Sequence, residues 1–368
     1  MPYERDNIRR LHAYTPGEQP QAARVIKLNT NENPYPPSDA VMAAIRSVDP
    51  NRLRRYPPPT AEGFRRAAAD AHGVTPDQVI ATNGGDELLR MLVTVFCVPA
   101  AASGAGGLGV FEPSYSLYPV LAAIHDTPVT VVDLADGFAI PDGAAEAWND
   151  AGCRLAMVVN PHAPSGRLAP VEQLRALAER FRGVLVIDEA YVDFAERDAL
   201  ELVRGPGAMP NVILLRTLSK GYSLAGLRFG YGVGAAALIA ALQKARDSYN
   251  VDALAQAAAE AALRHRADAA ATWEKVKRER ARVTAELRGR GFHVPESHSN
   301  FLLATPPADP GPDAATIYRK LADTGIFVRY FDLPRLRDKL RITIGTPAEN
   351  DALLAEVDAI VKGVGSTA

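Results

Sequence analysis

Residues 215–230 read LRTLSKGYSLAGLRFG, and the fold turns on what surrounds Lys220 within them. Val212, Ile213, Leu214 and Leu215 form an apolar run that predicts a buried strand. Thr217, Ser219 and Lys220 then fall in the turn that leaves it, with Gly226, Arg228 and Gly230 following. A lone lysine is ordinarily a solvated surface residue; the run around this one argues otherwise. An amine that attacks an aldehyde needs a dry, crowded place where its pKa can fall. The Ser219 hydroxyl and the Arg228 fork are suitable donors for a dianionic phosphate, which arginine grips with two N–H bonds.

Outward from this run, apolar strands alternate with amphipathic helices: PVTVVDL (128–134), RLAMVVNPH (154–162), a helix over 171–182, GVLVIDEAY (183–191), NVILLRTL (211–218) and FGYGVG (229–234). Strands this apolar indicate a sheet covered on both faces and mostly parallel. Ligands then sit at the carboxyl ends of strands, and Asn160, Asp188, Tyr191 and Lys220 all fall there. Upstream, a helix over 61–71 and a strand over 79–81 lead into TNGGDELLRMLVTVF (82–96). Its glycines turn the chain into a helix beginning near Asp86, so the backbone at Gly85 and Asp86 offers a phosphate seat. Tyr115, in GVFEPSYSLYPV (109–120), lies in the loop between a strand and the next helix, where a lone tyrosine is more often a packing residue than a ligand contact. No GxGxxG and no Walker A motif opens any of these units.

From about Val251 the chain becomes Ala-rich and helical, with a charged helix over 272–290. Strands near 301–304, 327–331 and 340–344 and helices near 314–323 and 347–361 complete a smaller α+β unit. The expected fold class is α/β, a mostly parallel sheet with helices on both faces plus that smaller domain. The expected division is residues 1–50 as an arm and part of the small domain, 51–250 as the large domain, and 251–368 as linking helices and the rest of the small domain.

A chain of 368 residues, 47% hydrophobic and 23% charged, is long enough for two domains and typical of a globular enzyme. A formal net charge of −2 gives no electrostatic reason to expect nucleic acid or an anionic membrane surface. Cys97 and Cys153 form no CxxC pair and stand in apolar surroundings, which reads as buried thiols in a reducing compartment. The polar N-terminus MPYERDNIRR lacks an apolar leader core, and no apolar run approaches the ~18 residues of a membrane span. The expected location is the cytoplasm.

The run around Lys220 resembles the pyridoxal-phosphate attachment stretch of the class I and II aminotransferases. Its form, SKxxxLAGLRxG, is most similar to the histidinol-phosphate aminotransferase branch. LNTNENPYPP (28–37) resembles that branch's NxNENP segment, which borders the active site, and RRYPPP (54–59) holds Tyr56 in a proline-stiffened turn. The likeness spans about Leu28 to Asn350. It implies a fold type I enzyme with pyridoxal 5′-phosphate, and a homodimer with shared sites, because Tyr56 stands where a tyrosine reaches the partner's cofactor phosphate. It further implies Asp188 beside the ring nitrogen, Asn160 and Tyr191 at ring O3′, Tyr115 on the ring face, and Gly85, Asp86, Ser219 and Arg228 at the phosphate. For the substrate it implies Arg341 in LRITIGT, Arg329 in FVRYF, Asn33, Tyr249 in SYNVDALAQ, and Tyr14 of the arm. Relatives usually read NPNNPTG where this chain reads NPHAPSG (160–166), so His162 and Ala163 are a departure at the pocket edge.

In such a site a carboxylate keeps the ring nitrogen protonated, and the freed Lys220 amine shuttles a proton between substrate Cα and cofactor C4′. The implied reaction exchanges amino and keto groups between L-histidinol phosphate and 2-oxoglutarate, giving imidazole acetol phosphate and glutamate in histidine biosynthesis. An aromatic amino-acid aminotransferase and a threonine-phosphate decarboxylase are the alternatives on the same fold. A non-catalytic PLP-binding regulator is disfavoured, because Lys220, Asp188 and Arg228 are all present and no nucleic-acid module is attached.

Overall fold

The computed structural model describes residues 3–12, 18–20, 25–100, 106–308 and 311–364. In chain order its strands are β1 (Ile26–Lys27), β2 (Val79–Thr82), β3 (Leu108–Glu112), β4 (Val129–Asp133), β5 (Leu155–Val159), β6 (Val184–Asp188), β7 (Val212–Thr217), β8 (Gly230–Gly234), β9 (Phe301–Ala304), β10 (Ile326–Phe327), β11 (Arg329–Tyr330) and β12 (Leu340–Thr343). Seven of them form one sheet in the order β2-β8-β7-β6-β5-β3-β4. Successive side chains on a strand point to opposite faces, and β7 shows it directly. Val212 and Leu214 join one buried apolar cluster, whereas Ile213 and Leu215 join the other. Helices cover both faces, which is why the central strands read as unbroken apolar runs.

The expected parallel sheet holds for β7, β6, β5, β3 and β4, with β8 the exception. FGYGVG runs antiparallel to both of its neighbours. Residues 218–229 leave β7 and come back beside it without a crossover helix, and only an antiparallel return allows that. Thr217 pairs with Gly230 at the mouth of this wide hairpin, so Lys220 sits in its loop. PVTVVDL also departs from expectation: β4 is the sheet edge, and its Val131 is 44% exposed. The helix expected near Asp86 begins at Gly84 and runs to Phe96.

The strand expected over 327–331 splits into two short pieces, because β10 pairs in parallel with β1 while β11 pairs with β12. The second sheet has the order β11-β12-β9 and is antiparallel. The long charged helix runs from Arg266 to Gly289, longer than its periodicity suggested. Trp273 on it donates its indole N–H to the Gly221 carbonyl at 2.7 Å, which ties the helix to the residue after Lys220.

Gly230 lets β8 close on the helix N-terminus, since a Cβ there would lie 2.6 Å from the Gly84 carbonyl carbon and the Gly85 nitrogen. These are backbone atoms and cannot swing aside. Gly230→Ala should lower stability by about 1–3 kcal/mol, the usual cost of overpacking, seen as a lower urea midpoint. Gly226→Ala, which meets nothing within 4 Å, should leave the midpoint nearly unchanged.

Candidate active site

Lys220, part-buried, donates from Nζ to the Thr30 carbonyl at 2.9 Å. Burial lowers its ammonium to about 8, and the positive charge of Arg341 acts in the same direction. The shift enlarges the neutral, reactive fraction of the amine near neutral pH, as a nucleophile or base requires.

Asp188 closes β6 and is 5% exposed. Its Oδ2 accepts the Tyr118 hydroxyl at 2.8 Å and its Oδ1 the Ala190 N–H at 3.0 Å. Burial pushes the carboxyl up to about 6; the two hydrogen bonds oppose that rise, while Asp86 and Glu189 add to it. Its neighbour Glu189 is structural. That carboxylate is buried against the Arg216 guanidinium at 2.7 Å, which also meets Asp198 at 3.0 Å.

At the start of the Gly84–Phe96 helix, the guanidinium of Arg228 lies 3.4 Å from the Asp86 carboxylate. Arg228 itself is in the left-handed region, at φ 56°. Ser219 is buried beside them, with Thr217 donating to its Oγ at 3.0 Å. Gly84 to Asp86, Ser219 and Arg228 therefore converge, and this donor set suits a phosphate. Tyr115 reaches the same region, its hydroxyl 3.4 Å from Asp86 Oδ1 and its ring edge-on to Tyr118.

Tyr191 accepts a bond from Asn31 Nδ2 at 3.1 Å and packs edge-on against Phe301. Asn160 is buried, and its side-chain amide faces the Ala169 backbone, accepting at 2.8 Å and donating at 3.4 Å. It therefore pins the NPHAPSG loop. His162 in that loop donates through Nε2 to the Pro113 carbonyl at 2.8 Å, leaving Nδ1 to accept from Ser165 at 2.7 Å. Burial lowers the imidazole to about 4, so it is neutral and stitches this loop to the one before Tyr115.

The second sheet supplies cations. Arg341 donates to the Asn29 carbonyl at 2.6 Å and stands 5.5 Å from both the Phe301 and Phe331 rings. Arg329 is its register partner across the ladder. Like charges directly opposite destabilise a sheet, so the pair favours an anion. Asn33 donates to the Gly221 carbonyl at 3.2 Å. Tyr56 and Tyr249 stack on each other at 4.4 Å on the surface, 80% and 40% exposed. Tyr14 lies outside the described residues.

Sequence reasoning missed Tyr118, Thr30 and Asn31. Tyr118 sits in the apolar segment LYPVLAAI, where its hydroxyl is the one hint that it does more than fill the core.

A lysine just beyond one strand, a buried carboxylate at the end of the next, and a helix N-terminus faced by Arg228 are the groups that an aminotransferase-type site needs. The family profile described as aminotransferase class I and II matches residues 23–357, and the chain belongs to that family. Within it, the chain is 44% identical over 362 residues to histidinol-phosphate aminotransferase 1 of Trichormus variabilis, covering 98% of this chain and 99% of that one. It is 43% identical to the histidinol-phosphate aminotransferase of a Geobacter species, covering 94% and 95%. The crystal structure of the Sinorhizobium meliloti histidinol-phosphate aminotransferase, in complex with pyridoxal-5′-phosphate, superposes with a TM-score of 0.81 at 29% identity, covering 92% and 91%. The histidinol-phosphate aminotransferases are thus the branch with which this chain groups.

Asp188 generates a stability prediction whose sign follows from its raised pKa. The folded carboxyl titrates at about 6 and the unfolded one near ~3.9, so the native chain holds the extra proton in between. The penalty for its charge is full above about pH 6 and absent below about pH 4, and that rise corresponds to roughly 3 kcal/mol. Asp188→Asn should therefore stabilise the cofactor-free chain by about 1–3 kcal/mol in urea unfolding at pH 8, and by much less at pH 4.5. With cofactor bound, the order of stability should reverse. Equal gains at both pH values would contradict the assignment of charge.

Proposed function

We propose that this chain transfers the amino group of L-histidinol phosphate to 2-oxoglutarate with pyridoxal 5′-phosphate as cofactor, yielding imidazole acetol phosphate and glutamate in histidine biosynthesis. The observation that carries this reading is Asp188. It is a carboxylate buried at the end of β6 whose two hydrogen bonds offset only part of its desolvation, a setting that calls for a cationic ligand. A pyridinium nitrogen meets that demand, and the rest of the donor set fits the same molecule. Pyridoxal 5′-phosphate, when bound, supplies an electron sink for the substrate Cα.

Asp188 holds the proton on the ring nitrogen, fixed in place by Tyr118 and the Ala190 N–H. Lys220 offers the amine that takes the aldehyde and, once displaced, takes and returns the proton at substrate Cα. Tyr191 and the second amide hydrogen of Asn160 are donors for ring O3′, and Tyr115 gives its face to the ring. Ser219, Arg228 and the N–H groups of Gly85 and Asp86 hold the phosphate. Arg341 and Arg329 take the substrate's anion. Two guanidiniums in register suit a dianionic phosphate better than a single carboxylate, which favours histidinol phosphate over a purely aromatic amino acid. Asn33, Tyr249 and Tyr14 complete the substrate's surroundings.

The same reading makes the enzyme a cytoplasmic homodimer. Leu53, Tyr56, Tyr249 and Leu254 are all exposed, and a partner subunit covers them while receiving Tyr56 at its phosphate seat. Among the described residues no helix is long and apolar enough to cross a membrane. The same reading takes residues 1–50 as the arm and part of the small domain, 51–250 as the large domain, and 251–368 as linking helices and the rest of the small domain, a division that the pairing of β1 with β10 supports.

Two experiments decide these points. Borohydride reduction of the holoenzyme should leave the pyridoxyl group on Lys220, and rapid-mixing spectra should show histidinol phosphate and glutamate reacting fastest in a panel with phenylalanine and phosphothreonine. Faster reaction of phenylalanine or phosphothreonine would place the chain's activity elsewhere in the family. For shared sites, inactive Lys220→Ala chains mixed with Tyr56→Phe chains should regain activity at the hybrid site that holds both native residues. Verified subunit exchange without recovery would refute the shared site.

A further inference from the structure

The segment from Leu28 to Asn33 bonds to Lys220, Arg341 and Tyr191, and Asn31 makes four of its hydrogen bonds. Asn31 is 1% exposed and adopts φ 58°, the left-handed region that asparagine tolerates better than most residues. Its N–H donates to Thr343 Oγ1 at 3.0 Å, and its carbonyl accepts from Asn300 at 2.9 Å. Its side chain then reaches two ways. Oδ1 accepts the Thr343 hydroxyl at 3.0 Å, and Nδ2 donates to the Tyr191 hydroxyl oxygen at 3.1 Å.

Thr343 stands on β12, the strand that also carries Arg341, whereas Tyr191 follows β6 and Asp188. On either side of Asn31 the backbone continues the pattern. The Asn29 carbonyl takes Arg341 at 2.6 Å and the Thr30 carbonyl takes Lys220 at 2.9 Å. One buried amide thus joins the seven-stranded sheet's ligand end to the strand bearing the anion clamp.

Resting on the reading of the site above, we infer that Asn31 is a positioning residue for amino transfer, setting the Tyr191 hydroxyl against the Arg341 strand through its side-chain amide. The amide fixes where the phenol oxygen lies relative to the cofactor ring, and it does so from the substrate's side of the site. Misplacing such a group by a fraction of an ångström slows the reaction without emptying the site.

The test is a double-mutant cycle on the holoenzyme, read by turnover and by the pH midpoint of the cofactor's visible absorbance. Asn31→Gly keeps the left-handed backbone and both main-chain bonds and deletes only the amide. It should lower kcat roughly 10-fold for histidinol phosphate and for glutamate, and shift the absorbance midpoint in the same direction as Tyr191→Phe. In the Tyr191→Phe background, Asn31→Gly should shift the midpoint no further. Additive effects on kcat with an unmoved midpoint in native Tyr191 would overturn the inference, because loosened packing alone predicts that pattern. Should the glycine variant not fold, Asn31→Asp keeps the shape, turns the donor into an acceptor, and is judged by the same cycle. Wild-type holoenzyme that fails to turn over histidinol phosphate would instead overturn the functional reading, and the two failures are distinguished by that control.

Discussion

Asp188 is a carboxylate taken out of water at the end of β6, and the site is arranged around it. Asp188 keeps its charge through the Tyr118 hydroxyl and the Ala190 N–H, which together offset only part of the desolvation. Nearby, Glu189 is neutralised by Arg216, so its negative charge is spent within the core. The consequence is a buried carboxylate that a positively charged partner would relieve, set at the end of a strand where backbone rigidity fixes its position. Stability given up in the empty chain becomes affinity and reactivity in the loaded one.

The reversal of β8 is the second constraint. Because the chain returns beside β7 without crossing a face, the loop carrying Ser219 and Lys220 is pinned at both ends by sheet pairing. Gly230 then brings that hairpin against the helix that begins at Gly84, and Arg228 meets Asp86 across the gap. Lysine, hydroxyl, guanidinium and helix N-terminus are thereby held by one local arrangement. The long helix adds a further tie through Trp273 to Gly221.

Much of this was legible in the order of residues. Unbroken apolar strands between amphipathic helices announced the sheet, and polar residues at strand ends marked Asn160, Asp188 and Lys220. The direction of β8 was not legible, because FGYGVG reads alike in a parallel or an antiparallel strand. Tyr118 was hidden for another reason: an aromatic residue within an apolar helix satisfies the core whatever its hydroxyl does. Asn31 was hidden by distance, its partners Tyr191 and Thr343 standing 160 and 312 positions away. Local pattern carries no information about a bond between such remote segments.

The pairing of β1 with β10 sets the order in which the protein can be completed during synthesis. Ile26 and Lys27 align with Ile326 and Phe327, and Leu28 receives the Thr343 N–H. The segment that meets Lys220 through Thr30 therefore waits for strands made near the end of translation. A nascent chain emerging from the ribosome can close the seven-stranded sheet and bury Asp188 well before its N-terminal arm has anything to dock against. The reactive centre is therefore complete only when β12 is present to hold Asn31 through Thr343.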